Sequence, residues 1–186
     1  MKRLSEKYIR LAVCVLVCAV ILLGSACSSM TSTSSISVDV SDHWALLPIK
    51  NLSDTADADA QALSLIETRL RTRGIGSVDT YTPMQRVSLR QLLDTDEEMR
   101  QSQEWARRAG YRYGLTGTIL EWQYKSGSDR EPSVGLSLKL IDLSTDKVVW
   151  QANAARTGWG YSSLPGVADG VIKNMLKNVQ LVSASR

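Results

Sequence analysis

Cys27 is the residue with the clearest chemistry. Ahead of it stand a basic start (Lys2, Arg3, Lys7, Arg10), an apolar run over residues 11–23 broken only by Cys14 and Cys18, and the small residues Gly24, Ser25 and Ala26. Positive end, short apolar core, small residues and then a cysteine form the layout of a bacterial secretory signal that ends at a lipid-modified thiol. The 13-residue core is too short for a helix to cross ~30 Å of hydrocarbon, so it reads as a cleaved address. Gly24 holds the place three before the cysteine where such sites usually carry Leu, and Leu23 sits one further back. Gly24 and Ala26 also satisfy the small-residue rule for ordinary signal cleavage, which would release a soluble chain. The expected assignment is acylation, with palmitate on Cys27, because an unpaired secreted thiol otherwise has no purpose.

Other groups that could do chemistry are sparse. His43 is the only histidine, and no nucleophile elbow or phosphate-binding glycine loop is present. Ser144 and Lys147 stand three apart as in a serine–lysine dyad, but they fall in a turn with no companion motif. Asp54, Asp57 and Asp59 lack the Gly and final Glu of a calcium loop, and compensation of a helix dipole accounts for them. The chain is therefore read as a non-enzyme, without metal and with no cofactor beyond the covalent lipid.

Two clusters suit binding instead. Asp94, Asp96, Glu97 and Glu98 are the densest acidic run; they read either as a surface that guides a cationic polymer or as a solvated helix start. Trp159 lies between Gly158 and Gly160. Flanking glycines either free a loop that presents the indole at headgroup level, or supply a turn that folds it back on the core. Arg69, Arg71, Arg73, Arg107 and Arg108 offer partners for acids on a neighbouring subunit, or simply a solvated face.

The elements that must hold these residues follow from periodicity. Residues 1–26 are the signal, 27–41 a lipidated Cys and flexible Ser/Thr tether of about 14 residues, and 42–186 one globular domain. An apolar run over 44–49 predicts a buried strand, with Pro48 near an edge or strand end. A helix capped by Ser53 or Asp54 runs to about residue 73, with Leu63, Ile66 and Leu70 inside and Gly74 as its stop. A short strand over 77–81 precedes a helix opened by Pro83 and another over 96–109 stopping at Gly110, with Met99, Ala106 and Trp105 or Ala109 inward. Alternation over 113–125, 134–141 and 148–154 predicts three strands in antiparallel hairpins. Trp122, Tyr124 and Leu120 share one face of the first of these and read as core. A last helix starts near Pro165, buries Ala168, Ile172, Met175, Leu176 and Val179, and ends near Val182. The fold class is α/β (α+β): one domain with a mixed sheet of about five strands packed with helices.

Composition bounds the partners. Removing the presequence takes four of 22 basic and one of 19 acidic residues and leaves 18 of each, so no basic excess argues for nucleic acid. All three cysteines lie at or before position 27, so the domain is held by packing alone. Five Trp and five mature Tyr replace the absent Phe, a mixture suited to protein or lipid interfaces.

Three stretches carry a resemblance: residues 44–53 (WALLPIKNLS), 109–119 (AGYRYGLTGTI) and 138–150 (LKLIDLSTDKVVW), the last a hairpin that lacks the Gly often found beside Thr. They resemble small envelope lipoproteins of the TolB N-terminal-domain fold, which CsgG and LpoB-type cell-wall-synthase activators share. With the short tether and the segment 156–161 (RTGWGY), the chain looks most like the PelC family. That resemblance implies an outer-membrane lipoprotein, sorted outward by Ser28 after the cysteine, on the periplasmic face. It implies a homo-oligomeric ring, a dodecamer among the candidates, with a Trp159-like aromatic contact to lipid. It further implies guidance of cationic Pel exopolysaccharide toward a PelB-like porin during biofilm matrix export. The alternative is a lipoprotein that activates or scaffolds an envelope enzyme or another secretion channel.

Overall fold

The computed structural model describes residues 28–33, 35–83, 95–127, 130–159 and 161–183. Cys27, Asp94 and the helix expected after Pro83 lie outside the described residues.

In chain order the elements are β1 (Ser28–Ser32), β2 (Ile36–Asp39), β3 (Trp44–Asn51), α1 (Ala58–Thr72), β4 (Val78–Thr80), α2 (Thr95–Arg108), β5 (Tyr113–Tyr124), β6 (Pro132–Asp142), β7 (Lys147–Thr157), α3 (Leu164–Leu176) and β8 (Val179–Val182). Six strands form a mixed sheet in the order β1-β7-β6-β5-β3-β4, and β2 pairs in parallel with β8 in a second, two-stranded sheet. The three long strands β5, β6 and β7 are antiparallel neighbours, whereas β3 is parallel to both β4 and β5. Consequently β3, β5 and β7 point the same way, and their C-terminal ends lie along one margin of the sheet.

Alternation along β3 explains the layering. Trp44 and Leu46 enter the main core beneath α1 and α3, while Ala45 and Leu47 turn to the other face and meet Ala106 of α2, Ile141 and Leu143. A strand covered on both faces must be apolar throughout, which is what this run is. Pro48 falls beyond the three-residue pairing with β4 and inside a register shift against β5, so its missing N–H breaks no ladder. Its carbonyl accepts a hydrogen bond from Thr116 Oγ1 at 2.6 Å.

Helix α1 starts later than Ser53 or Asp54. Asn51 Oδ1 accepts from the Ser53 N–H and hydroxyl and so commits the chain to a turn there. Asp57, in the left-handed region at φ 57°, precedes the first helical residue without a side-chain cap. The buried stripe is Ala58, Ala62, Ile66 and Leu70, with Leu63 only partly buried, because small residues let the helix sit close on the sheet. Ser102 joins Ala106 on the inner side of α2, whereas Ala109 is exposed. In the β6–β7 turn the missing Gly is replaced by Asp146, which itself adopts φ 57°.

Two further expectations fail together. The stretch 28–41 is not a free tether: β1 pairs with β7 along its whole length, and β2 with β8. The last helix stops at Leu176 and gives way to β8, so Val179 is buried from a strand. The missed strands β2 and β8 are each other's partners, and β1, an edge strand mostly of Ser and Thr, needs only backbone pairing with β7 and leaves no apolar run. Within β1, Met30 alone packs on the core.

Strand β5 holds the third correction. A register shift between Ile119 and Glu121 inserts Leu120 as an unpaired residue, and the alternation reverses across it. Trp122 is buried completely, whereas Leu120 is 57% exposed and Tyr124 43%.

Candidate functional site

The C-terminal margin of β5 and β7 gathers the residues that bear on the membrane reading. Ser28, which is bonded to Cys27, pairs with Arg156 near the end of β7. Three residues on, Trp159 is 57% exposed and Tyr161 fully so. The Ser162 N–H donates to the Trp159 carbonyl at 2.7 Å, closing a turn with both aromatic side chains on it. The indole therefore does not fold back on the core.

Gly158 neither frees this loop nor merely supplies the turn. A Cβ there would meet Val167 Cγ2 at 2.6 Å and Ser162 Cβ at 2.9 Å, so glycine is needed for close packing against α3. Its N–H donates to the Pro132 carbonyl at 2.7 Å. The turn is thus fixed at its base and open at its tip, and Gly160 lies outside the described residues.

Beside the turn, Tyr124 accepts the Leu164 N–H on its hydroxyl at 3.0 Å, which ties β5 to the start of α3. The Arg130 guanidinium lies 6.0 Å from the Tyr124 ring centre. Lys125 Nζ donates to Thr157 Oγ1 at 3.0 Å. Periodicity could not find this grouping, because Tyr124, Arg130 and Tyr161 come from three separate segments.

The acidic run is only partly a bare surface. Asp96, Glu97 and Glu98 form the first turn of α2. Arg100 donates to Glu97 at 2.6 and 2.8 Å and Gln101 at 2.8 Å, and these bonds hold the Glu97 carboxyl down at about 2. Glu104 takes Arg100 and Arg108 in turn, so the outer side of α2 is a ladder of alternating charge. Because Glu97 has a depressed folded value, its ion-pair contribution is complete above 4.5 and is lost as pH falls towards 2. The melting-temperature gap between wild type and Glu97→Gln should therefore close over that acid range. A gap that persists through it would show that the pair is not the source of the stabilisation.

The arginines read either as partners for a neighbouring subunit or as a solvated face are each engaged within the chain. Arg69 binds Asp169, Arg71 binds Glu67, Arg107 binds Asp146 and Arg108 binds Glu104, while Arg73 donates to the carbonyls of Leu176 and Val179. Burial lowers the Arg73 value, in keeping with neutral partners only. Sequence reasoning also missed acids at the opposite margin. Asp142 accepts from Ser144 and from Arg112 at 2.8 Å, and Asp79 accepts the Tyr111 hydroxyl at 2.8 Å. Burial first, then Asp79, push Tyr111 up to about 12. The Ser144 hydroxyl is thus a turn-former, bonded to Asp142 at 2.6 Å. His43 Nδ1 lies 3.3 Å from Ser77 Oγ.

Relatives share this architecture. The family model described as peptidoglycan-synthase activator LpoB matches residues 46–155. The PelC dodecamer of Paraburkholderia phytofirmans is 34% identical and superposes with a TM-score of 0.72, covering 84% of this chain and all of that one. A single-residue variant of the same PelC, also a dodecamer, gives 35% identity and the same TM-score over the same shares of both chains. The C-terminal domain of LpoB from Salmonella enterica is 16% identical at a TM-score of 0.42, over 63% of this chain and 84% of that one. Among curated protein sequences none matches the chain.

Proposed function

Since the chain belongs to the PelC family, and to the wider LpoB family by its matched core, we propose that it is a ring-forming outer-membrane lipoprotein of exopolysaccharide export. It is acylated on Cys27, sits on the periplasmic face and assembles with copies of itself. The ring guides a cationic polymer of the Pel class toward a PelB-like porin during export of biofilm matrix. The chain acts by binding and assembly and is not an enzyme.

The observation that carries this reading is the position of Ser28. Its pairing with Arg156 brings the residue bonded to Cys27 to the margin that exposes Trp159 and Tyr161. Lipid and aromatics then meet one bilayer from one end of the subunit, and two modest attachments repeated around a ring hold firmly. Asp96, Glu97 and Glu98, with Asp94, supply weak charge that sums around the ring, and Glu97 contributes least because Arg100 occupies it. The LpoB match favours a second reading, an activator that reaches across the periplasm to a cell-wall synthase. Strand β1 counts against it, because pairing from Ser28 onward removes the slack that such reach requires.

Polymer secretion by cells carrying Trp159→Ala tests the reading, together with the mass of the protein extracted in mild detergent. Closed oligomers and a several-fold fall in secreted polymer are expected. Normal secretion by the variant would sink the aromatic contact, and a stable monomer at high concentration would sink the ring.

A further inference from the structure

A cleft of about 450 Å3 opens beside the aromatic turn, lined by Tyr124, Arg130, Tyr161, Ser162 and Ser163. Its cation is unusual in two ways. Arg130 holds a left-handed backbone at φ 44°, a conformation disfavoured for a residue with a side chain and one that needs support from its surroundings. Among the described residues its guanidinium has no carboxylate partner, and its recorded contact is with the face of Tyr124. The arginines of α1 and α2 discussed above are instead engaged within the chain.

The start of α3 borders the same cleft, but its donors are already committed. The Leu164 N–H goes to Tyr124, the Gly166 N–H to Ser163 Oγ and the Val167 N–H to the Ser163 carbonyl, while Pro165 has none. An anion entering the cleft would therefore take its hydrogen bonds from the Arg130 guanidinium and from the hydroxyls of Ser162 and Tyr161. A planar guanidinium fork beside hydroxyl donors suits the oxygens of a phosphate.

We propose that this cleft receives the phosphate of a lipid headgroup, so that the subunit prefers anionic phospholipid at its anchored end. The inference rests on the membrane contact proposed for Trp159 and adds to it a chemically selective site. The lipid source follows from place: the cleft shares its lining residue Tyr161 with the exposed turn, and Ser28 brings the acylated terminus to the same margin. A tyrosine ring beneath the guanidinium leaves the cation's other side and edges for the ligand.

The test uses the chain from Ser28 onward, which contains every described element, titrated with a large excess of vesicles of phosphatidylcholine alone or mixed with phosphatidylglycerol, so that the weak, reversible binding left without the acyl chains is measured. Co-sedimentation should be about five-fold tighter on the mixed vesicles, the gain given by one arginine near an anionic surface. Arg130→Gln should lose that gain and keep its binding to phosphatidylcholine, whereas Arg156→Gln, which lies outside the cleft, should keep more of the gain. Equal binding of wild type and Arg130→Gln to the mixed vesicles would overturn the proposal. So would saturable binding of inorganic phosphate without vesicles, which would assign the cleft to a free anion. Failure of the wild type to bind phosphatidylcholine would instead remove the membrane contact itself, so the two readings fail separately. An unchanged melting curve for Arg130→Gln confirms that the variant is folded.

Discussion

With Cys27 acylated as proposed, Cys27→Ser should move the protein from the membrane pellet to the soluble fraction, the largest single effect expected of any functional substitution. The exposed aromatics cannot replace the lipid. Burying one indole removes about 200 Å2 from water, worth at most ~5 kcal/mol at 25 cal/mol per Å2. Trp159 is already 43% covered by its own chain, so it contributes less. Acyl chains contribute about 0.8 kcal/mol per buried methylene, and firm anchoring takes two signals rather than one. Cys27→Ser removes the larger signal, while Trp159→Ala removes the smaller and should leave the protein in the pellet but misoriented. Fractionation of cells expressing each variant reads the anchoring, and polymer secretion by the Trp159→Ala cells reads the orientation. If Cys27→Ser stays in the pellet, then acylation is not what holds the chain, and the guide-ring reading loses its footing.

The strand at 28–32 changes what the anchor means. A flexible lead of 14 residues would place the domain anywhere within roughly 20 Å of its attachment point. Pairing of Ser28 with Arg156 fixes the distance instead, because it holds the residue bonded to Cys27 on the sheet. Such a device was illegible in the sequence for a physical reason. Edge strands are recognised by backbone hydrogen bonds, and a Ser/Thr stretch that makes them looks the same as one that does not. The buried strands were readable, since β3, β5, β6 and β7 announce themselves by apolar runs or by alternation. The candidate site was half readable. Trp159 could be singled out by its glycines, although Gly158 proved to be there for contact with Val167. Arg130 and Tyr124 could not, because their meeting depends on where two loops end. The bulge at Leu120 likewise broke an alternation that single-sequence reading assumes to be continuous.

Two of the three stretches that carried the family resemblance hold devices of folding. Pro48 sits in the register shift of β3, Asn51 builds the turn before α1, and Asp142 orders the β6–β7 turn through Ser144. Their likeness among relatives of different roles follows from this, since a fold is shared more widely than a function.

The same reasoning makes Gly117→Ala the most damaging small substitution in the domain. Gly117 lies in a central strand, paired with Ile49 on one side and Leu138 on the other. A Cβ added there would sit 2.2 Å from the Ser137 carbonyl oxygen and 2.9 Å from Leu138 Cδ2. The first obstacle is backbone held by β5 on one side and β7 on the other, so it cannot step aside as a flexible side chain would. Overpacking of this kind costs about 3 kcal/mol. For a domain of this size that lowers the melting temperature by roughly 6–12 °C. Gly76→Ala supplies the contrast, because nothing lies within 4 Å of its added Cβ and its φ is outside the left-handed region. There the same methyl group should be neutral or raise stability by about 0.5 kcal/mol, through the reduced entropy of the unfolded chain. Thermal unfolding of the two variants side by side measures the clash with chemistry held constant. Equal melting temperatures would mean that the β5–β6 ladder yields at Gly117, and that the glycine of this motif is not kept by packing.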